Sequence, residues 1–280
     1  MNADRPVIIQ AALSGSSGGK ELSPHLPVSV AENVAAGLEA WRAGASVLHV
    51  HAREEDGTPS QRLACFEPIV RGLREGGCEA ILNLSTGSAG DRSHGAERYE
   101  CLALEPEMAS YDCGSVNMGE RVFANSLPFL RDLAREMNAR GIRPEIECFD
   151  AGHIHTALRL RKEGLLSDPL HFQFVLGVKG GADATPEQLM YMRSLMPADT
   201  TWSVCAVGAA QLETNLLGAL LGGQVRTGLE DNLYLRRGEY APSNAALVAR
   251  IADLLRATGM RVATPAEARA ILSLPPRTHG

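Results

Sequence analysis

The sequence lacks long apolar runs, clustered cysteines and lysines, and each shortage closes off a class of function. Its longest apolar stretches, at 7–13 and 216–221, fall far below the ~20 residues that span a bilayer. No hydrophobic leader precedes the first strand-like run, so no membrane association is expected. A net charge of −6 argues against non-specific binding to nucleic acid or an anionic membrane. The six cysteines are scattered, with no C-x-x-C pair. That suits small buried thiols in a reducing cytoplasm and speaks against cysteine-ligated zinc. Of 27 basic residues only three are lysines, Lys20, Lys162 and Lys179, which makes each lysine's position informative.

What is present is ordinary globular material: 280 residues, 45% hydrophobic and 21% charged, a composition that excludes disorder and fibrous repeats. Eight β-rich runs, at 7–13, 46–51, 80–84, 108–111, 145–149, 172–177, 201–206 and 224–227, alternate with helical patterns. The helices are expected at 30–43, 66–75, 94–103, 126–139, 155–163, 186–195, 211–221 and 244–258. Gly44 and Gly141 fall where helices should stop, and Pro186 where one should start. No linker or composition break interrupts the alternation. The expected fold is therefore α/β, a single-domain (β/α)8 TIM barrel over residues 1–280. A doubly wound open sheet is the alternative, weakened because no G-x-G-x-x-G follows the first strand.

In a barrel, chemistry collects at strand C-termini and in the loops that follow. Excess glycine gathers in those loops, at Gly15, Gly18, Gly19, Gly87, Gly90, Gly114, Gly177, Gly180, Gly181 and Gly228. The sharpest signal is Val47-Leu48-His49-Val50-His51. Side chains two apart on a strand share a face, so His49 and His51 both point into the mouth, where they can reach one divalent metal. A hydrogen-bonded histidine pair is the plainer reading.

After the last strand comes Arg226-Thr227-Gly228-Leu229-Glu230-Asp231. Glu230 can supply a third metal ligand, leaving Asp231 as a base and Arg226 to hold it ionised or to bind a carboxylate substrate. A solvated acidic turn is the alternative. Ser85-Thr86-Gly87 offers hydroxyls and backbone N–H groups to a substrate oxygen, or simply makes a turn. Glu145 and Glu147 share one strand face, and carboxylates inside a barrel are costly unless paired. A second H-x-H, His153 and His155, falls at a loop–helix junction and reads better as scaffold than as ligand. Lys179 and Gly180 can meet a phosphate or nucleotide, or form a plain tight loop.

Together these residues resemble the β-keto acid cleavage enzymes. The likeness rests on His49-Val50-His51-Ala52-Arg53 with Asp56-Gly57, Ser85-Thr86-Gly87, Asp112-Cys113-Gly114-Ser115-Val116-Asn117, Glu145 to Asp150 and Val225 to Asn232. It implies a zinc-dependent barrel that reacts a β-keto acid with acetyl-CoA to give acetoacetate and a new acyl-CoA. One Zn2+ per chain would sit on His49, His51 and Glu230. Asp231, assisted by Arg226 and Glu145, would remove the proton between ketone and carboxylate, while Ser85 and Ser110 would bind substrate oxygens. A homo-oligomer, a tetramer, is also implied.

One position departs from the aminohexanoate-cleaving pattern. Where an acidic residue would meet an ammonium group, this chain has Ser17, and Glu21 replaces it only if the loop folds back. The expected substrate is neutral or anionic, with Lys20 a partner for a distal carboxylate. Two alternatives stay open: a metal-dependent amidohydrolase, though its H-x-H normally ends the first strand, and a metal-free barrel that binds a small acid.

Overall fold

The computed structural model describes residues 4–87 and 95–274. Gly90 and His94, the latter the first residue of the helix expected at 94–103, lie outside the described residues. Eight parallel strands close on themselves: β1 (Ile9–Ala12), β2 (Val47–Val50), β3 (Ile81–Leu84), β4 (Met108–Asp112), β5 (Arg143–Cys148), β6 (His171–Leu176), β7 (Thr201–Ala206) and β8 (Gln224–Thr227). Strand β8 returns to β1 through the pairs Val225–Ile9, Arg226–Gln10 and Thr227–Ala11. The barrel is closed, which rules out the open doubly wound sheet.

Helices α1 (Val30–Ala43), α2 (Leu63–Glu75), α3 (Leu127–Ala139), α4 (Ala151–Lys162), α5 (Pro186–Ser194), α6 (Gln211–Leu220) and α7 (Asn244–Ala257) cover the outside. Short polar residues set their starts: Ser29, Thr185 and Ser243 each accept a hydrogen bond from the first-turn backbone. Outward-facing Ile9, Leu48, Leu82, Ile146, Phe172 and Val225 pack beneath these helices. Each such side chain, fully buried, contributes roughly 1.5–3 kcal/mol.

Three helices differ from expectation, α2 only by starting three residues early at Leu63. The segment after β3 is a 3-10 run, Ala96–Leu104, broken at Tyr99. Buried Arg98 explains it, donating to the carbonyls of Thr86 and Ala124 and to Asn125 while its guanidinium stacks 4.2 Å from the Phe129 ring. Helix α4 starts four residues earlier than expected because Asp150 caps it, accepting from Gly152 N–H at 2.8 Å.

The interior is stacked in three levels. At the bottom Ile8, Val47, Ile81 and Met108 meet Ala268 of α8 (Pro265–Ile271) and its C-cap Leu272, an apolar plug. Above it Gln10, Asn83, Glu145, Gln173 and Ser203 form a hydrogen-bonded polar belt. The top level opens to solvent, and three antiparallel hairpins rise round it, after β2 (52–60), β4 (116–123) and β8 (234–240).

Candidate active site at the barrel mouth

His49 faces inward from the next-to-last position of β2, and His51 follows just past the strand's end. Their Nε2 atoms lie 3.1 Å apart, and Glu230 Oε1, from the loop after β8, lies 3.7 Å from His49 Nε2 and 3.4 Å from His51 Nε2. Tetrahedral zinc with bonds near 2.0–2.1 Å sets its donor atoms ~3.3 Å apart, so the three side chains fit that ion. Two further observations agree. Glu230 Oε2 is buried without a hydrogen-bond partner. Burial also drives His49 toward its neutral form, the form that binds a metal. Burial alone would raise the Glu230 carboxyl, but His51, Arg226 and His49 outweigh it and hold the group well below its usual range. Gly15, at φ +63°, leaves the space that a Cβ would take from Glu230.

Arg226 is the hub of the other half. Nε and Nη2 grip the two oxygens of Asp231 at 2.9 and 3.0 Å, Nη2 also donates to Glu230 at 2.7 Å, and Nη1 donates to Glu147 at 3.3 Å and Gln173 at 3.0 Å. Such a buried cation is tolerable only because three carboxylates surround it. Burial pushes the Asp231 carboxyl up while Arg226 pulls it down.

Of the two β5 glutamates, Glu147 faces the mouth. Glu145 lies one level deeper with no solvent exposure, held by the amides of Gln10, Asn83 and Gln173, and does not line the mouth. Glu145 is the residue expected to assist Asp231; Glu147, two residues and ~6.6 Å further along the strand, is the one that accepts from Arg226. Asp112, which the strand boundary at 111 left out, is Glu147's partner in the β4–β5 register and touches its side chain. Burial raises both carboxyls, and Asp112's charge raises Glu147 further.

The mouth, about 260 Å³, is also lined by Ser16, Ser17, Ser85, Gly87 and Ser110. Ser110 Oγ accepts from Thr86 N–H at 2.9 Å. Thr86 itself is turned away, its hydroxyl spent on the Ser110 carbonyl at 2.8 Å. The far wall is apolar: Met118, Phe123, Phe149, Val175, Val178 and Val207. Arg226 is the one lysine or arginine lining the mouth among the described residues.

Several expected residues do not reach it. Lys20 is drawn off by Glu32 at 2.7 Å and the Pro24 carbonyl at 3.1 Å, so it offers nothing to a distal carboxylate. Glu21 turns onto its own loop beside Gly19 rather than into the mouth. Lys179 is exposed and off the mouth's lining, and Gly180 is packed against Asn117. His153 is scaffold, accepting from Phe149 N–H at 3.2 Å and lying 3.3 Å from the Ser115 carbonyl.

Comparison with known proteins supplies the wider setting. The chain is 40% identical over 269 residues to the 3-keto-5-aminohexanoate cleavage enzyme of Acetoanaerobium sticklandii, covering 96% of this chain and 98% of that one. It is 41% identical over 275 residues to the 3-oxoadipate:acetyl-CoA acetyltransferase of Cupriavidus necator, covering 97% and 96%. The apo structure of ObcA superposes with a TM-score of 0.80 at 22% identity, over 90% of this chain and 66% of that chain, a likeness of fold. Residues 6–274 match the sequence pattern of the β-keto acid cleavage enzymes; the chain belongs to that family.

Proposed function

We propose that this protein reacts a neutral, short β-keto acid with acetyl-CoA, giving acetoacetate and a new acyl-CoA. The observation that carries the reading is one small mouth holding both a His49–His51–Glu230 donor set and an Arg226-gripped Asp231. Bound there, Zn2+ would supply Lewis acidity toward a chelating keto acid, making the carbon between its carbonyl groups easier to deprotonate.

Asp231 is the base for that proton. Arg226 fixes its carboxylate in one orientation, and desolvation keeps it more basic than a surface aspartate. Glu147, paired with Asp112 in the β4–β5 register, accepts from Arg226 and braces it from the opposite side. Ser85 and Ser110 stand where hydroxyls can hold substrate oxygens. Glu145 acts at one remove, fixing the polar belt on which Arg226 and His49 rest. The carbanion attacks the acetyl carbonyl and expels CoA thiolate. That thiolate adds to the keto acid's own ketone, and C–C cleavage releases acetoacetate.

Ser17 where an acid would meet ammonium, Lys20 tied to Glu32 and an apolar far wall support an uncharged distal group. Family membership supports this reading over an amidohydrolase or a non-catalytic barrel. We further propose a single catalytic domain, a homotetramer and a cytoplasmic setting. No helix among the described residues is long and apolar enough to cross a membrane, and all six cysteines are free thiols.

The test is an acetyl-CoA-dependent assay for acetoacetate over neutral, dicarboxylic and aminated β-keto acids, with elemental analysis of the purified protein. Turnover without acetyl-CoA overturns the reaction, and a preference for aminated or dicarboxylic acids overturns the substrate class.

A further inference from the structure

The mouth is too small for the cosubstrate it is proposed to use. At about 260 Å³ it falls below the ~300–1,000 Å³ of typical ligand pockets, room for a short keto acid and the reacting thioester. The nucleotide end of acetyl-CoA must lie outside, within reach of its pantetheine arm.

A larger groove, about 750 Å³, adjoins the mouth. Val207 and Asp231 line the mouth, Ala209 and Asn232 line the groove, and between them Gly208 N–H donates to the Asp231 carbonyl at 2.8 Å. The hairpin 234–240 forms one side and helices α6 and α7 contribute Leu212, Glu213 and Arg250. Resting on the acetyl-CoA reading above, we propose that this groove takes the phosphorylated adenosine diphosphate end of acetyl-CoA.

Charge is the first argument. Arg236, Arg237 and Arg250 line the groove with Glu213, and Glu239 pairs with Arg236 on the same hairpin, a net positive lining in a chain whose net charge is −6. Arg250 donates to the Leu235 carbonyl and Arg236 to Glu239, which fixes both, while Arg237 has no ion-pair or hydrogen-bond partner among the described residues. Such a cluster suits the phosphates of CoA, since guanidinium groups bind phosphate in a two-pronged fashion.

Shape is the second argument. Tyr234 lies flat on Tyr240, ring centres 4.9 Å apart and planes 18° from parallel. Tyr234 is also exposed on the groove side, a platform for a purine. Leu212 and Leu235 offer apolar contact, and Glu213 offers an acceptor for an exocyclic amino group.

The experiment compares acetyl-CoA with acetyl-pantetheine, which lacks the nucleotide. Arg237→Ala is expected to raise KM for acetyl-CoA about tenfold, with kcat and the keto acid KM holding. Arg237→Lys should recover part of the loss. With acetyl-pantetheine the difference from wild type should vanish. Adenosine 3′,5′-bisphosphate should compete with acetyl-CoA in the wild type and poorly in the variant. An unchanged KM for acetyl-CoA in Arg237→Ala and Tyr234→Ala, or an equal loss with acetyl-pantetheine, overturns the groove. If the wild type does not use acetyl-CoA, the proposed function fails. Calorimetry with free CoA then judges the groove alone: binding weakened by Arg237→Ala sustains it, and no binding overturns it.

Discussion

Arg226 meets Asp231 side-on, Nε on one carboxylate oxygen at 2.9 Å and Nη2 on the other at 3.0 Å. A lysine can offer one ammonium but not that fork, nor reach Glu147 and Gln173 at the same time. Arg226→Lys should therefore cut kcat by ~100-fold or more, near the loss from Asp231→Asn, since misplacing a general base costs ~10²–10⁴ in rate. Acetoacetate formation checks this beside far-UV circular dichroism. A folded Arg226→Lys enzyme within threefold of wild type would refute the bidentate role.

Removing a metal donor should be separable from removing the base. His49→Ala and Glu230→Gln are expected to lose bound zinc, while Asp231→Asn keeps about one ion per chain. Because an ion that binds only the folded state stabilises it, chelation should lower the melting temperature of wild type and Asp231→Asn alike. Neither donor variant should respond. A His49→Ala protein that retains its zinc would exclude the triad.

Substrate charge should be adjustable at one position. Ser17 lines the mouth beside the apolar wall, and the nearby Lys20 is held elsewhere by Glu32. Ser17→Glu is expected to improve kcat/KM for an aminated β-keto acid relative to a neutral one by about tenfold, the effect of a new charge-assisted contact. An unchanged ratio would mean that the distal group of the substrate points elsewhere.

Away from the mouth, His171 gives a pH prediction. Burial depresses its pKa to about 3, with Arg143 adding to the effect. In the unfolded chain it titrates near ~6.5. The unfolded state therefore binds one more proton between those values, so His171's contribution is present above pH ~6.5 and is lost as pH falls toward about 3. Denaturant unfolding between pH 4 and 6 should show stability rising with pH. His171→Gln should flatten that slope by about 1.4 kcal/mol per pH unit. Parallel slopes would show that His171 does not stay neutral in the fold.

The barrel was legible because periodicity and turn residues repeat eight times, and each repeat lies near its predicted place. His49 and His51 were legible because two-residue spacing on a strand fixes a shared face, whatever the tertiary setting. Glu145 and Glu147 share a face too, but which level each occupies depends on the stagger of β5 against β4 and β6, which no local pattern encodes. Asp112 was missed by a strand ended one residue early. Inward Ser110 two residues before it, with Tyr111 turned outward to the Leu130 carbonyl at 2.7 Å, was the available signal. Lys20 misled because a loop's charge is visible in sequence and its ion pair, Glu32 in the next helix, is not.

Strands β1 and β8 lie side by side in the closed barrel although more than two hundred residues separate them along the chain. The two histidines therefore wait for a third donor that arrives only when the last strand docks against the first. During synthesis, the ribosome must release residues 224–231 before His49, His51 and Glu230 can meet. A nascent or truncated barrel holds its histidines but lacks Arg226, Glu230 and Asp231 together. Under the proposed zinc reading, metal capture would follow the closing of that final seam.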